Sequence, residues 1–243
     1  MVETSIIIRT KNEERWLGEC LKRLFRQTYR NFEVVIVDSG STDETLRIAA
    51  RYPVTLVRIP AESFSFPYAL NVGCMRARAE RYFVFLSAHS LPLSETWLED
   101  GLANFQIHRE QKILGVYGLI RTLPDASIWE RLYFDVFSWR LRGFFRNDVH
   151  IVRSAGLSVL GFTHAIIPRE LWEEHRIDER YGFGGEDGEW ARYWTARGYV
   201  GIRDVKFTVQ HSHGLGLAAF IKQFRYWRVV AKPHPFKQHD FRH

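Results

Sequence analysis

Cysteine is scarce in this chain, and the two that occur form no paired motif. Only Cys20 and Cys74 appear among 243 residues, and they make no C-x-x-C pair. Both fall within apolar patterns of helical spacing, which is typical of reduced thiols in a protein core. We therefore expect no disulfide framework and a cytoplasmic protein.

Long hydrophobic runs are also missing. No apolar stretch approaches the ~18–20 residues that a membrane-spanning helix needs. The chain begins Met-Val-Glu and enters a predicted strand almost at once, so we expect no signal peptide. The sequence thus predicts a soluble protein, or at most one peripheral to the inner face of a membrane.

Two phosphate-binding motifs are absent. No G-x-G-x-x-G follows the first predicted strand, and no G-x-x-x-x-G-K-[ST] occurs anywhere in the chain. These absences argue against a dinucleotide-binding fold and against a P-loop enzyme.

The chain is rich in apolar, aromatic and basic residues. Its composition is 46% hydrophobic and 15% aromatic, which excludes a disordered chain and suffices for a full core. A formal net charge of +6 and a sequence pI of about 9.4 favour an anionic partner, such as a nucleotide, a nucleic acid or an acidic membrane surface. No repeat or linker-like stretch interrupts the chain, so we predict a single domain over residues 1–243.

Short apolar runs alternate with helical patterns in the first half of the chain. The runs have the length of buried strands and lie at 5–8, 32–37, 55–59 and 82–86. This alternation predicts right-handed βαβ units and an α/β fold with a mostly parallel sheet. We expect Tyr82–Leu86 to be the central strand and Ser87–His89 to form the floor of a site beyond its carboxyl end. Ser41 and Glu44 have the spacing of a capping box that opens a helix, and so do Ser127 and Glu130.

The second half has weaker patterns. We expect strands at 114–120, 165–168 and 206–211, loops at 140–153 and 181–187, and a basic, aromatic helix at 218–231. Phe220, Phe224 and Trp227 share one face of that helix, which favours docking on the domain, with a membrane-surface contact as the alternative. We assign residues 1–92 to a nucleotide-binding half, 93–217 to a catalytic half with a smaller antiparallel portion, and 218–243 to the C-terminal helix and tail.

Three carboxylates are candidates for chemistry. Asp38 ends a predicted parallel strand and is either a turn residue or an acceptor for a ribose hydroxyl or a base N–H. Glu186 and Asp187 follow two glycines and precede a helix, so they either stabilise the helix N-terminus or act in proton transfer. Adjacent like charges raise at least one pKa, as a general base requires.

His89, His211 and His213 are the candidate metal ligands. An extended chain at 211–213 would direct two of these side chains to the same side. Imidazole binds Mn²⁺ and other transition ions well and Mg²⁺ poorly. A lone histidine is more often structural, but three that converge on one cleft favour a metal site.

Six ordered stretches resemble the inverting glycosyltransferases of family two, which have the GT-A fold. The stretches span nearly the whole chain and lie at 5–13, 35–45, 69–73, 85–92, 183–187 and 211–213. Val116–Gly118, the aromatic segment after it and the 211–213 stretch are most similar to bacterial rhamnosyltransferases of polysaccharide assembly.

The resemblance implies a role for each candidate residue. Asp187 would be the base that deprotonates an acceptor hydroxyl, and Glu186 would orient donor or acceptor. The donor, a UDP-, GDP- or dTDP-linked sugar, would contact Thr10, Asn12, Glu13, Asp38, Ser41, Asn71 and Ser87.

The family's metal-binding segment has the form Asp-x-Asp, and Ser87-Ala88-His89 stands at its place. His89, with His211 and His213, would then hold a divalent cation, Mn²⁺ in preference to Mg²⁺. Ser87 would only hydrogen-bond a ribose or water. The acceptor would be a saccharide or a lipid-linked molecule.

Two other functions stay open from the sequence. The missing carboxylates at Ser87 and His89 suggest an inactive relative that binds a sugar nucleotide. Nucleic-acid binding is a remote alternative, because the basic residues are dispersed and no recognised module is visible.

Overall fold

An eight-stranded sheet lies at the centre of the chain, which the computed structural model describes for residues 2–138, 149–154 and 159–230. The strands are β1 Val2–Thr10, β2 Phe32–Asp38, β3 Thr55–Arg58, β4 Ala79–Ser87, β5 Leu91–Pro92, β6 Ile113–Tyr117, β7 Ile120–Arg121, β8 Val149–Val152, β9 His164–Pro168, β10 Val200–Asp204 and β11 Val209–Gln210. In the large sheet their order is β3-β2-β1-β4-β9-β6-β10-β8, and β5-β11-β7 form a second, smaller sheet.

The large sheet is mostly parallel, as predicted. The strands β3, β2, β1, β4, β6 and β10 run in one direction, whereas β9 and β8 run the opposite way. β4 is central, with β1 parallel on one side and β9 antiparallel on the other. β3 lies at an edge. In the small sheet β11 is antiparallel to β5 and parallel to β7.

Helices cover both faces of the large sheet. They are α1 Leu17–Leu24, α2 Thr45–Ala49, α3 Phe66–Arg76, α4 Trp97–Ile107, α5 Ile128–Glu130, α6 Arg169–Glu174, α7 Glu186–Thr195 and α8 Leu217–Val230. Short 3₁₀ turns occur at Ala61–Ser63, Glu179–Tyr181 and Val205–Phe207, and a π-helix, Arg131–Ser138, continues α5. No helix among the described residues combines the length and apolar character needed to cross a membrane.

Alternation along the strands explains why both faces need cover. In β1, Ile6 and Ile8 join one core cluster and Ile7 joins another. In β4, Val84 and Phe85 likewise face opposite layers. Because successive strand residues point to opposite faces, an unbroken apolar run is stable only between two layers.

Several local predictions are wrong in extent. The predicted strand at 114–120 divides into β6 and β7, which belong to different sheets. Only 209–210 of the predicted 206–211 strand is extended, because the Asp204 carboxylate caps a 3₁₀ turn at the Lys206 N–H. Strand β10 was not predicted. Its short run contains a glycine and two charged residues, and it is extended because it pairs with β6 and β8.

The boundaries near the predicted loops also differ. Residues 149–152 of the predicted 140–153 loop form strand β8, and residues 140–148 of that loop lie outside the described ranges. The predicted loop at 181–187 ends earlier, because α7 begins at Glu186. The C-terminal helix is confirmed, although the tail beyond residue 230 and the Trp227 side chain are outside the described part.

Cys20 and Cys74 are buried free thiols, in agreement with the sequence. Burial raises the pKa of the Cys20 thiol to about 12, so this thiol stays protonated and unreactive.

Candidate active site

The carboxyl ends of three parallel strands place predicted donor residues at one edge of the sheet. Thr10 ends β1, Asp38 ends β2 and Ser87 ends β4. Thr10 is opposite Asp38 in the ladder, and Arg9 is opposite Ser87. The parallel order therefore brings these residues together, as the sequence predicted.

The Asp38 carboxylate is almost fully buried and accepts four hydrogen bonds. The backbone N–H groups of Gly40 and Ser41 each donate to Oδ2 at 3.0 Å. The hydroxyls of Thr10, at 3.2 Å, and Ser41 donate to Oδ1. The predicted capping box at Ser41 is therefore wrong. The Ser41 hydroxyl is engaged with Asp38, and α2 begins only at Thr45.

Asn12 joins the loop after β1 to the loop after β2. Its backbone has φ +55°, in the left-handed region that asparagine tolerates. Its side-chain Oδ1 accepts from the Thr42 N–H at 2.8 Å, and its own N–H donates to Ser41 Oγ at 2.9 Å. The Glu13 N–H donates to Thr45 Oγ1 at 2.7 Å. The two loops therefore form one hydrogen-bonded surface.

The three predicted metal-ligating histidines converge. One ring nitrogen from each of His89, His211 and His213 lies within 4.8 Å of the others. The rings of His89 and His211 stack with centroids 4.5 Å apart, and the His213 ring meets both at a steep angle. Burial and the neighbouring histidines lower the pKa of His211 well below its ordinary value, and burial also lowers that of His213. Both rings are therefore neutral at pH 7, which is the form that binds metals.

Polar neighbours orient two of these rings. His89 Nδ1 donates to the Glu13 carboxylate at 2.9 Å, and His211 Nδ1 shares a 3.0 Å hydrogen bond with the Ser90 hydroxyl. A carboxylate only accepts, so Nδ1 of His89 carries a hydrogen, and in the neutral ring Nε2 is the nitrogen with the free lone pair. Within the described residues this buried Nε2 has no hydrogen-bond partner.

Glu130 fixes the backbone that carries His213, a role that the sequence did not reveal. This buried carboxylate accepts from the N–H groups of His213 at 2.8 Å and Leu215 at 3.1 Å. It also completes the predicted capping box with Ser127, which is confirmed. The capping pattern predicted that Glu130 would bond to backbone, but the contact more than eighty residues away left no local signal.

The three imidazole ligands fit a divalent transition ion. In this set of three imidazoles, His89 has an orphaned buried nitrogen and a carboxylate on its other nitrogen, which is the arrangement in which histidines bind metals. Such nitrogen ligands suit Mn²⁺ or a softer ion better than Mg²⁺. Glu13, predicted to contact the donor, is thus placed to orient His89.

Glu186 and Asp187 lie in the first turn of α7, at the end of a loop that only glycine can form. Gly184 and Gly185 have φ of +157° and +91°. The Asp187 carboxylate accepts from the Gly188 N–H at 2.7 Å and from the Phe162 N–H. Burial raises the pKa of both acids, and the adjacent Asp187 charge helps to raise that of Glu186 to about 7. The pair is therefore poised to exchange a proton near neutral pH.

Arg9 is a site residue that sequence reasoning missed. Its Nη1 lies 3.7 Å from Glu186 Oε1, and its guanidinium lies over the Phe66 ring at 4.6 Å. The same charge acts on Asp187 and on His211. Arg9 therefore lies between the acid pair and the histidines, where its charge offsets that of the acids. As the penultimate residue of a buried strand, it gave no local sign of this role.

Asn71 holds the fold together from within α3. Its amide NH₂ donates to Ile177 O at 2.8 Å and to Glu179 Oε1 at 2.9 Å, while its Oδ1 accepts from Trp172 Nε1 and from the Ile177 N–H. Every hydrogen-bonding position of this buried amide is used. A contact between Asn71 and a donor would break one of these bonds.

Comparison with solved structures places this architecture among GT-A enzymes. Staphylococcus aureus TarS, residues 1–349, superposes with a TM-score of 0.63 at 19% identity, covering 94% of this chain and 65% of that one. The mannosyltransferase PcManGT from Pyrobaculum calidifontis, in complex with GDP-Man and Mn²⁺, gives 0.66 at 22% identity and covers 92% and 60%. These likenesses show the fold.

Among curated proteins, a Methanococcus voltae dolichyl N-acetyl-α-D-glucosaminyl phosphate 3-β-D-2,3-diacetamido-2,3-dideoxy-β-D-glucuronosyltransferase is 32% identical over 163 residues. The match covers 60% of this chain and 50% of that protein. This chain thus spans about half the length of that relative.

The family model described as Glycosyl transferase family 2 matches residues 5–176. That range includes Arg9, the Asp38 loop and His89, whereas the acid pair and the other two histidines follow it. A match over most of the chain, on a GT-A architecture, is decisive: the chain belongs to glycosyl transferase family 2.

Proposed function

We propose that this chain transfers a hexosyl or deoxyhexosyl group from a nucleoside-diphosphate donor to a hydroxyl of a saccharide or lipid-linked acceptor, with inversion. The observation that carries the proposal is the buried Glu186–Asp187 pair: burial raises the pKa of both acids, that of Glu186 to about 7, as proton transfer at neutral pH requires. Arg9 links this pair to the donor residues: its guanidinium lies near Glu186, and its backbone is opposite Ser87 at the carboxyl ends of the strands.

Asp187 acts as the general base. Two backbone N–H groups hold its carboxylate, and Arg9 favours its ionised form. It takes the proton of the acceptor hydroxyl as that oxygen forms a bond to the anomeric carbon. On the opposite face the bond from this carbon to the phosphate oxygen breaks, and the nucleoside diphosphate leaves with the electron pair. Glu186, bridged to Arg9, orients donor or acceptor.

The donor nucleotide lies against the joined loops after β1 and β2. Asn12 and Ser41 lie on this surface, the buried Thr10 and Asp38 support it by hydrogen bonds, and Ser87 extends it to the end of β4. TarS, of the same fold, has been solved with UDP and with UDP-GlcNAc, and PcManGT with GDP-Man. These complexes support a nucleotide-sugar donor without selecting its base.

His89, His211 and His213 would hold a divalent cation, and Glu13 and Ser90 orient two of the rings. The ion, when bound, supplies positive charge that offsets the charge developing on the departing phosphates. Structures of related fold contain Mn²⁺, among them the Mycobacterium tuberculosis glucosyl-3-phosphoglycerate synthase complex with UDP, and this supports a divalent cation as cofactor.

The acceptor is part of a surface polysaccharide or glycan under assembly. The names of relatives support this role. One acts on a dolichyl-phosphate-linked sugar, and TarS is named a poly(ribitol-phosphate) β-N-acetylglucosaminyltransferase. An inactive sugar-nucleotide-binding relative is the second candidate, favoured by the absence of Asp-x-Asp at Ser87–His89.

Calorimetric titration of UDP, GDP and dTDP, each with Mn²⁺, Mg²⁺ or EDTA, tests the donor site. We expect one nucleotide to bind in a Mn²⁺-dependent manner and His89→Ala to abolish that dependence. Glu13→Gln should weaken Mn²⁺ binding by about tenfold or more, because it loosens the orientation of the imidazole.

Glu14→Gln is the matched control, since its carboxylate bonds to the Glu44 N–H and not to a histidine. Nucleotide binding that is unchanged by EDTA and by His89→Ala would refute the metal site. Binding without turnover, under every metal, would favour the inactive relative.

A further inference from the structure

Exposed hydrophobic side chains are concentrated on two adjoining segments, 128–137 and 217–226. Among the described residues fourteen large hydrophobic side chains are exposed, and these two segments contain nine of them. Phe137 is 60% exposed and Ile128 59%, although a folded domain normally buries such side chains. The nine are Ile128, Trp129, Leu132, Val136, Phe137, Leu217, Ile221, Phe224 and Tyr226.

The two segments form one surface, because their ring systems meet. Tyr133 of the π-helix contacts Phe220 and Phe224 of α8, with ring centroids 5.7 Å apart in both cases. Ile128, Leu132 and Val136 are four residues apart and form one stripe. On α8, Leu217, Ile221 and Phe224 recur at helical spacing and form another. We name the surface made by 128–137 and 217–226 the apolar face.

The exposed charges of the apolar face are all basic. Arg131, Lys222 and Arg225 are exposed, whereas both acids of these segments are turned to internal partners. Glu130 is buried against backbone N–H groups. Asp135 pairs with Arg121 and accepts from the Thr122 N–H at 3.0 Å. Apolar side chains edged only by positive charge match the interface of an anionic lipid membrane.

The apolar face contacts both parts of the candidate active site, the loop before the acid pair and the segment that carries His213. The Tyr226 hydroxyl donates to Phe183 O at 2.6 Å, in the glycine loop before the acid pair. Burial, together with the charges of Glu186 and Asp187, raises the pKa of Tyr226. At the other end, Glu130 holds the backbone of His213. A molecule anchored in a membrane under this face would reach the acid pair.

We propose that the apolar face docks on an anionic lipid membrane and so presents a lipid-linked acceptor to Asp187. The acceptor rests on the proposed function, but the membrane contact does not. Membrane docking is measured without any transfer reaction, so failure of one leaves the other intact.

Flotation of the full chain with vesicles tests the proposal. We expect binding to mixed phosphatidylcholine and phosphatidylglycerol vesicles, much weaker binding to phosphatidylcholine alone, and a decrease with added salt. The combined change Leu132→Ser, Phe137→Ser and Ile221→Ser should reduce binding by about tenfold or more, because it removes inserted apolar area. Lys222→Glu with Arg225→Glu should reduce binding to anionic vesicles only.

Matched controls distinguish binding through the apolar face from non-specific binding to vesicles. Leu93→Ser, Met75→Ser and Ile107→Ser remove equally exposed side chains elsewhere, and Arg51→Glu with Arg109→Glu reverses exposed charges elsewhere. Both controls should bind as wild type, and thermal unfolding by circular dichroism confirms that each variant is folded.

Equal loss in face and control variants would overturn the proposal, as would no vesicle binding by wild type. Sedimentation velocity identifies a different occupant. If the chain does not bind vesicles but forms a dimer, and the variants of the apolar face dissociate that dimer, the face binds a second copy of the chain.

Discussion

Two buried carboxylate sites lie on the same edge of the sheet and differ in how their charge is met. Asp38 accepts hydrogen bonds from two backbone N–H groups and two hydroxyls. Glu186 has Arg9 at 3.7 Å and the like charge of Asp187 beside it. A carboxylate surrounded by fixed donors holds loops in place, whereas one buried beside another acid is held near its protonation midpoint. The first arrangement serves binding and the second serves proton transfer.

Asp187→Asn should have the largest effect. An amide of the same shape cannot take a proton, so transfer should decrease by about 10²–10⁴-fold. Nucleotide affinity should be nearly unchanged, because the donor surface lies on other loops. Single-turnover assays and calorimetry measure the two quantities. Equal losses in both would refute the general-base role.

Asp38→Asn should instead decrease the stability of the folded chain. An amide has one acceptor oxygen for four donors, so the free energy of unfolding should decrease by roughly 1–3 kcal/mol. Urea denaturation measures this change, with Asp187→Asn as the matched isosteric control. We expect that control to be neutral or stabilising, since it removes a buried like charge beside Glu186. Equal destabilisation by the two variants would erase the distinction between the sites.

Arg9→Met should shift the pH dependence by a smaller amount. The Arg9 charge favours the ionised acids, and its removal should raise their pKa values further. A base is inactive when protonated, so wild-type turnover should decrease as the pH decreases and the acid pair takes up a proton, which for Glu186 occurs at about 7. In the variant this decrease should begin about one pH unit higher. Arg78→Met, which removes a cation paired with Glu33 away from the site, should leave the profile in place.

How much of this site was predictable depends on how local its causes are. The strands 32–37 and 82–86 were readable because each apolar run is buried on both faces, and the parallel order then placed Thr10, Asp38 and Ser87 together. Convergence of the histidines followed from the same reasoning. These features depend on residue type and strand direction.

The features that the sequence did not reveal depend on contacts between distant segments. Arg9 acquires its role from Phe66 and Glu186, which are far along the chain. Ser41 fits a capping box by spacing, yet its hydroxyl donates a hydrogen bond to the Asp38 carboxylate instead. Asn71 fits the family pattern, but its amide is saturated inside the core. Local patterns give the partners that a side chain can have, and the tertiary structure selects among them.

The hydrogen bonds that Asn12 makes between the loops after β1 and β2 also bear on the thermodynamics of donor binding. A flexible loop that closes over a nucleotide loses conformational entropy at that moment, and the loss subtracts from affinity. Here the two loops are already joined in the folded chain, so that entropy is lost during folding. Affinity for the nucleotide can then come from few direct contacts, and the exchange of product for fresh donor requires no refolding of the site.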